Sequence, residues 1–136
     1  MIIACATDDK KELIPRHFGD ANYYCIYKLT KKKFEFIKFI NNKIEEENQL
    51  ADPKKAKGIA GLLKKEKVDI AVCNAFGPNI SRIAKHFLPI ISDNQNIDSF
   101  LKKAVENYDL LNKLTKSNQL IAYNFNINQK QILNPR

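Results

Sequence analysis

Few residues in this chain are suited to holding a ligand, and one of them stands in a suggestive setting. His17 lies in the run Pro15-Arg16-His17-Phe18-Gly19-Asp20-Ala21, a polar connection between two apolar segments. An imidazole beside an aromatic ring and a glycine can donate to a metal, carry a proton or simply brace its loop. The other histidine, His86, ends an apolar-striped segment next to Phe87, where a charge partner for a helix C-terminus is the expected role. Cys5, Cys25 and Cys73 are an odd set without CxxC spacing, which argues against a disulfide framework and a self-contained zinc knuckle. Thiolates are natural ligands for iron–sulfur or copper centres, yet a thiol buried among apolar groups keeps its proton. Cys5 and Cys25 fall inside apolar runs and read as core packing. Cys73 closes such a run and stays open to either role. Asp8 and Asp9 form a single acidic pair, whereas a two-metal nuclease needs several converging carboxylates. Turn or cap roles fit them better.

These residues need a scaffold, and the periodicity supplies one. Ile2 to Thr7 is an apolar run that reads as a buried strand. Tyr23 to Leu29 alternates aromatic and β-branched residues, a second strand. Thr30-Lys31-Lys32-Lys33 is a tight turn into a third strand, Phe34 to Ile40, so strands two and three form an antiparallel hairpin. Asn41 to Leu50 reads as a polar loop, and Asp52-Pro53 as a helix start. Ala56, Ile59, Ala60 and Leu63 give that helix one apolar stripe. Val68 to Cys73 is apolar on both faces, as a central parallel strand should be. A second helix follows Gly77-Pro78 with Ile80, Ile83, Ala84 and Phe87 inward. Leu88 to Ile91 is a fifth strand, whose Pro89 predicts an edge position. A third helix begins near Asn96 or Asp98 and buries Phe100, Leu101, Ala104, Val105 and Tyr108. Beyond it, Tyr123, Phe125 and Ile127 alternate with asparagines, which suggests one more strand or a loosely attached extension. The expected organisation is one domain over residues 1–112 and a C-terminal extension over 113–136.

The net charge of +8 is unevenly spread: residues 28–67 hold 12 lysines against 6 acidic residues, most of the excess. Lysine without clustered arginine is the usual mark of a solvated face rather than of phosphate reading. No apolar run approaches the roughly 18 residues of a membrane span. The opening Ile2 to Ala6 is too short for a signal-peptide core, so a cytoplasmic location is expected.

A hairpin followed by right-handed crossovers gives a five-stranded mixed α/β sheet, order 3-2-1-4-5, strand two antiparallel, with helices on its faces. Ligands in open α/β sheets bind beyond the carboxyl ends of strands at the point where the order switches. Those ends are Thr7-Asp8 and Cys73-Asn74. His17, Gly77 and a helix N-terminus able to receive an anion would share one crevice there.

The segments "IIACATDD", "HFGDA", "YYCIY" and "DIAVCNAFGPN", in that order, resemble the dinitrogenase iron–molybdenum cofactor biosynthesis family, which includes NifX and the C-terminal part of NifB. The similarity spans about residues 1–110. It implies a ribonuclease H-like three-layer fold and non-catalytic binding of an iron–sulfur or iron–molybdenum-type cluster. It carries over His17 as metal ligand, with Gly19 and Gly77 shaping the pocket; the reading of the residues themselves adds Phe18 and Asn74 around the cofactor and Cys73, at a strand end on the crevice, as a second metal-ligand candidate. Metal ligation uses the neutral imidazole, so such binding weakens with acidification. The chain departs from the family pattern in the hairpin turn, where three lysines replace glycines, and in Cys73-Asn74-Ala75-Phe76, which replaces a glycine-rich stretch. The second departure predicts a bulkier pocket.

The expected function is therefore a cluster-binding or cluster-carrying protein, not an enzyme, whose partners are cluster donors or acceptors. A membrane partner is not expected, and the added edge strand makes a homodimer plausible. Two other readings stay open on sequence grounds. One is a basic nucleic-acid-binding module using Lys31 to Lys33 and Lys54 to Lys67, with affinity that falls steeply with salt; the chain lacks the aromatic and basic strand pattern of RNA-recognition domains. The other is a metal-free protein-interaction or regulatory domain of the same fold.

Overall fold

The computed structural model describes residues 1–42, 55–78 and 80–133. The expected 41–50 loop beyond Asn42, and the Asp52-Pro53 helix start, lie outside the described residues. One mixed sheet organises the rest. Its strands are β1 (Ile2–Thr7), β2 (Tyr23–Leu29), β3 (Phe34–Asn41), β4 (Ile70–Cys73), β5 (Leu88–Ile91), β6 (Ile121–Asn124) and β7 (Gln129–Ile132). They run in the order β3-β2-β1-β4-β5-β6-β7. The expected core order is present, but the sheet has seven strands rather than five.

The central pairings follow from the sequence pattern. β1 is antiparallel to β2 and parallel to β4, with Ala4 opposite Ile26 on one side and Ala71 on the other. Every residue of β4 is buried, consistent with apolar side chains on both faces of an interior strand. The β2–β3 hairpin turns at Thr30, whose Oγ1 accepts from the backbone N–H groups of Lys32 and Lys33. A bulge where β3 passes Ile26 and Tyr27 bends that outer strand. Phe36 and Phe39 remain about half exposed on it, at 54% and 45%. The ammonium of Lys10 sits 3.5 Å from the Phe39 ring centroid and shields part of that surface.

The extra strands correct two expectations. β6 adds parallel to β5, and β7 folds back antiparallel onto β6. β5 is thereby interior, not an edge, despite Pro89. The N–H of Leu88 donates to Asp69 O on the β4 side, so the alternation of the strand turns Pro89 toward β6. The β5–β6 register begins only at Ile90 opposite Tyr123. By that register Pro89 faces Ala122 of β6, and its missing N–H leaves the parallel ladder one bond short at its start.

Helices cover both faces. On one, α3 (Ile97–Glu106) and α4 (Tyr108–Thr115) bury Phe100, Leu101, Ala104 and Leu111 against Cys5, Cys25, Val72 and Ile90. Asn96 caps α3 by accepting from Ser99 N–H at 2.9 Å. The predicted third helix is in fact this pair, broken at Asn107. On the other face, α1 (Lys55–Lys65) packs Ile59 and Leu63 against Tyr24, Ile26 and Phe87. α1 closes through the left-handed Lys67, φ 60°, with Val68 N–H bonding back to Leu63 O. α2 (Ile80–Ala84) is shorter than the stripe predicts, and its expected inward residues are only half-buried apart from Phe87 beyond its end.

Candidate functional site

The loop between β1 and β2 is held from several sides, and each tie has a sequence cause. Asp9 Oδ1 accepts from the N–H groups of Lys11 and Glu12, tightening the exit of β1. Asp8 accepts from both terminal nitrogens of Arg16 and from Asn22 N–H, joining the start of the loop to its end. The Arg16 guanidinium, helped by Asn22, holds the Asp8 carboxyl below its usual range. Arg16 also donates to Asp20 O at 2.7 Å. Both aspartates thus serve the loop itself. Asp69 lies at the other end of the sheet, where it accepts from Ile2 N–H.

Under the loop, Phe18 is buried, its ring 5.0 Å from that of Tyr24 and stacked at 5.5 Å on Phe76. The Tyr24 hydroxyl donates to Phe18 O at 2.8 Å, and Asn42 Nδ2 donates to Gly19 O and Ala21 O. Phe76, which the sequence suggested would crowd the pocket, is instead part of this aromatic footing. Cys73 is buried beneath as well, with its thiol donating to Arg16 O at 3.1 Å. Burial pushes that thiol up to about 11, so it is a neutral hydrogen-bond donor at neutral pH.

His17 is left exposed on top of this footing. A backbone bridge joins it to Ala75, so the loop runs beside the exit of β4 as the strand order predicts. Its imidazole lies directly against Gly77: a Cβ added there would stand 2.6 Å from Nδ1 and 2.9 Å from Cγ. Gly77 is a glycine because the ring needs that space. No such demand exists at Gly19, where an added Cβ meets nothing within 4 Å.

A cavity of about 430 Å³ opens beside His17. Phe18, Gly19 and Gly77 share its lining with Ile59 and Leu63 of α1 and with Phe87. Its rim carries Arg82, Lys85 and His86 against, among the described residues, a single carboxylate, Asp20. Burial lowers the pKa of His86, and the nearby Lys64 and Lys85 lower it further. The walls are thus apolar and the mouth cationic, a combination suited to an anion with a soft or apolar body. A helix as short as α2 has a weak dipole, so the expected anion reception falls to these side chains instead.

Of the residues the sequence placed at the site, His17, Phe18, Gly19 and Gly77 line one cavity. Asn74 and Cys73 do not: Asn74 donates to Ser92 O, and Cys73 supports the loop from below. The three cysteines do not share one face of the sheet. Cys5 stands opposite Cys25 and beside Val72, so Cys73 projects from the other face of the sheet. Sequence reasoning missed Arg82, Lys85 and His86 as neighbours of His17. Their i, i+3, i+4 spacing was a signal for one shared face, but nothing in it named the partner surface. Among the described residues, no three His, Cys, Asp or Glu side chains converge as a metal-ion site. Of the hairpin lysines, Lys31 pairs with Asp109 and Lys33 with Glu35, which blunts that turn as a phosphate-binding surface. No described helix is long and apolar enough to cross a membrane.

The family model described as "Dinitrogenase iron-molybdenum cofactor" matches residues 1–108. No curated protein matches the chain.

Proposed function

Because the chain belongs to the dinitrogenase iron–molybdenum cofactor family, we propose that it binds and carries an anionic metal–sulfur cluster without transforming it. His17 would be the donor to a metal of that cargo. The observation that carries this reading is the placement of His17: an exposed imidazole, seated against Gly77, at the wall of a cavity with apolar sides and a cationic mouth. The donor chemistry fits. Neutral imidazole is a natural ligand for iron, apolar walls suit sulfide surfaces, and Arg82 and Lys85 complement the net negative charge of such clusters. The strand order β3-β2-β1-β4-β5, with β2 antiparallel, supports reading the scaffold as ribonuclease H-like, extended at one edge by β6 and β7.

A carrier role also fits a site poor in protein donors. Few ligands and a charged rim hold a cluster firmly enough to protect it and loosely enough to pass it to an acceptor protein. The two loop aspartates are committed to backbone and Arg16, so they are not poised as a paired-metal hydrolytic centre. Anaerobic treatment of the purified protein with ferrous iron and sulfide, or with a cofactor precursor, should give visible absorbance that His17→Ala diminishes at least tenfold in occupancy, the scale of losing a ligand contact. A wild-type protein that takes up no chromophore under any of these conditions would sink the reading.

A further inference from the structure

The cavity holds the only two histidines of the sequence, and only one of them has a role so far. His17 touches Gly77, three residues before the first residue of α2, whereas His86 lies two residues beyond its last. The two imidazoles therefore belong to opposite ends of that helix. Five helical residues rise about 7 Å, so Gly77, against which the His17 ring lies, and the His86 backbone are set apart by a distance of that order. His86 is exposed at the mouth, with its ring 6.0 Å from that of the buried Phe87, which forms the adjoining wall. It donates to no carboxylate: the salt bridges among the described residues do not include it. The expected C-terminal charge-partner role is poorly served as well, because its neighbours Lys64 and Lys85 are cations.

From this placement we propose that His86 is a second donor to the cargo, so that the cavity grips a polynuclear cluster by two imidazoles at two separate metals. The inference rests on the cluster-carrying reading and adds the nature of the hold. Imidazole–metal bonds are about 2 Å long, so one ion would have to draw both rings together, whereas a cluster spans the gap between donors. The absence of any third His, Cys, Asp or Glu converging with them, among the described residues, points the same way: a mononuclear site would need further protein ligands. Two donors at opposite ends of α2 also offer stepwise release, since one can let go to an acceptor while the other still holds.

The test loads wild type, His17→Ala, His86→Ala and His86→Lys anaerobically with ferrous iron and sulfide. Iron content, visible absorbance and the rate of iron loss to a chelator are recorded for each. The loaded proteins, labelled with 15N-histidine and reduced to a paramagnetic state, are then compared by pulsed electron paramagnetic resonance. Two distinct histidine nitrogen couplings in wild type, one in His86→Ala, and release about tenfold faster in that variant would support the proposal. His86→Lys preserves the rim charge and should behave like His86→Ala. If His86→Lys instead restores wild-type release, His86 acts through charge and the proposal is overturned. A single histidine coupling in wild type, lost only in His17→Ala, also overturns it while leaving the carrier reading intact. Failure of wild type to load removes both. Because His86 is exposed, unchanged thermal unfolding of the unloaded variants should accompany every comparison.

Discussion

Gly77 shows how a single hydrogen can set the position of a functional ring. Gly77→Ala would drive a methyl to within 2.6 Å of His17 Nδ1, so the imidazole must move. The side chain is exposed and can rotate away at small cost. The expected outcome is a shift in unfolding free energy below about 1 kcal/mol, together with cluster loading reduced several-fold. Histidine imidazole NMR shifts and visible absorbance after reconstitution check the two parts separately. A loading loss matched by a collapse in stability would point to a packing role for Gly77 instead. Asp8 offers a pH test. Its carboxyl is held below the usual range by Arg16 and Asn22, so its folded pKa lies beneath the unfolded value of about 3.9. The stabilisation it contributes is present above pH 4 and is lost as pH falls through the folded pKa. Asp8→Asn should therefore flatten the acid limb of stability below about pH 4. Denaturant unfolding at steps of pH reads this directly.

Among the elements, α1 closes one wall of the cavity, and the way it ends carries a correctable strain. Lys67 occupies the left-handed region at φ 60°, a conformation that costs an L-residue about 1 kcal/mol or more. Lys67→Gly removes that cost, partly offset by the greater freedom of glycine in the unfolded chain. A net gain of about 0.5 kcal/mol in urea unfolding is expected, with α1 helicity unchanged. A loss of stability would show that the Lys67 side chain makes a contribution its exposed position does not suggest. β5 teaches a related lesson. Pro89 marks an edge only when the strand is considered alone. Inside the sheet it sits at the start of the β5–β6 pairing, where its missing donor leaves the ladder one bond short.

For the molecule as a whole, the question is whether the last strands are ornament or structure. The family match ends at residue 108, yet Ile121, Tyr123 and Phe125 are buried with the main core. The Phe125 ring lies 5.2 Å from that of Phe100 on α3. Burying three large side chains is worth about 1.5–3 kcal/mol each, against a typical total stability of 5–15 kcal/mol. A chain ended after Lys116 should therefore lose most of its cooperative unfolding and expose β5 as a new, apolar edge prone to association. Calorimetry and size-exclusion chromatography would register both effects. A truncated protein that melts like the full chain would show the extension to be independent.

Local periodicity and turn chemistry carried a good part of the architecture. The two-residue repeat of Tyr23 to Leu29, the lysine turn and the apolar run of β4 specify strands and their connection, and the central order follows from handedness and short loops. The His17 loop, with Gly77 beside it, was legible for the same reason: both lie where parallel strands end. Tertiary structure decided the rest, because faces and neighbours depend on register and packing. A one-residue offset of Cys73 from the Cys5–Val72 pair sends it to the opposite face. The polar strand Gln129–Ile132 has no apolar signature of its own and exists because β6 offers it an edge. His86 joins His17 at one cavity only because packing brings the segment after α2 to the same space as the β1–β2 loop and α1, which no local pattern could announce.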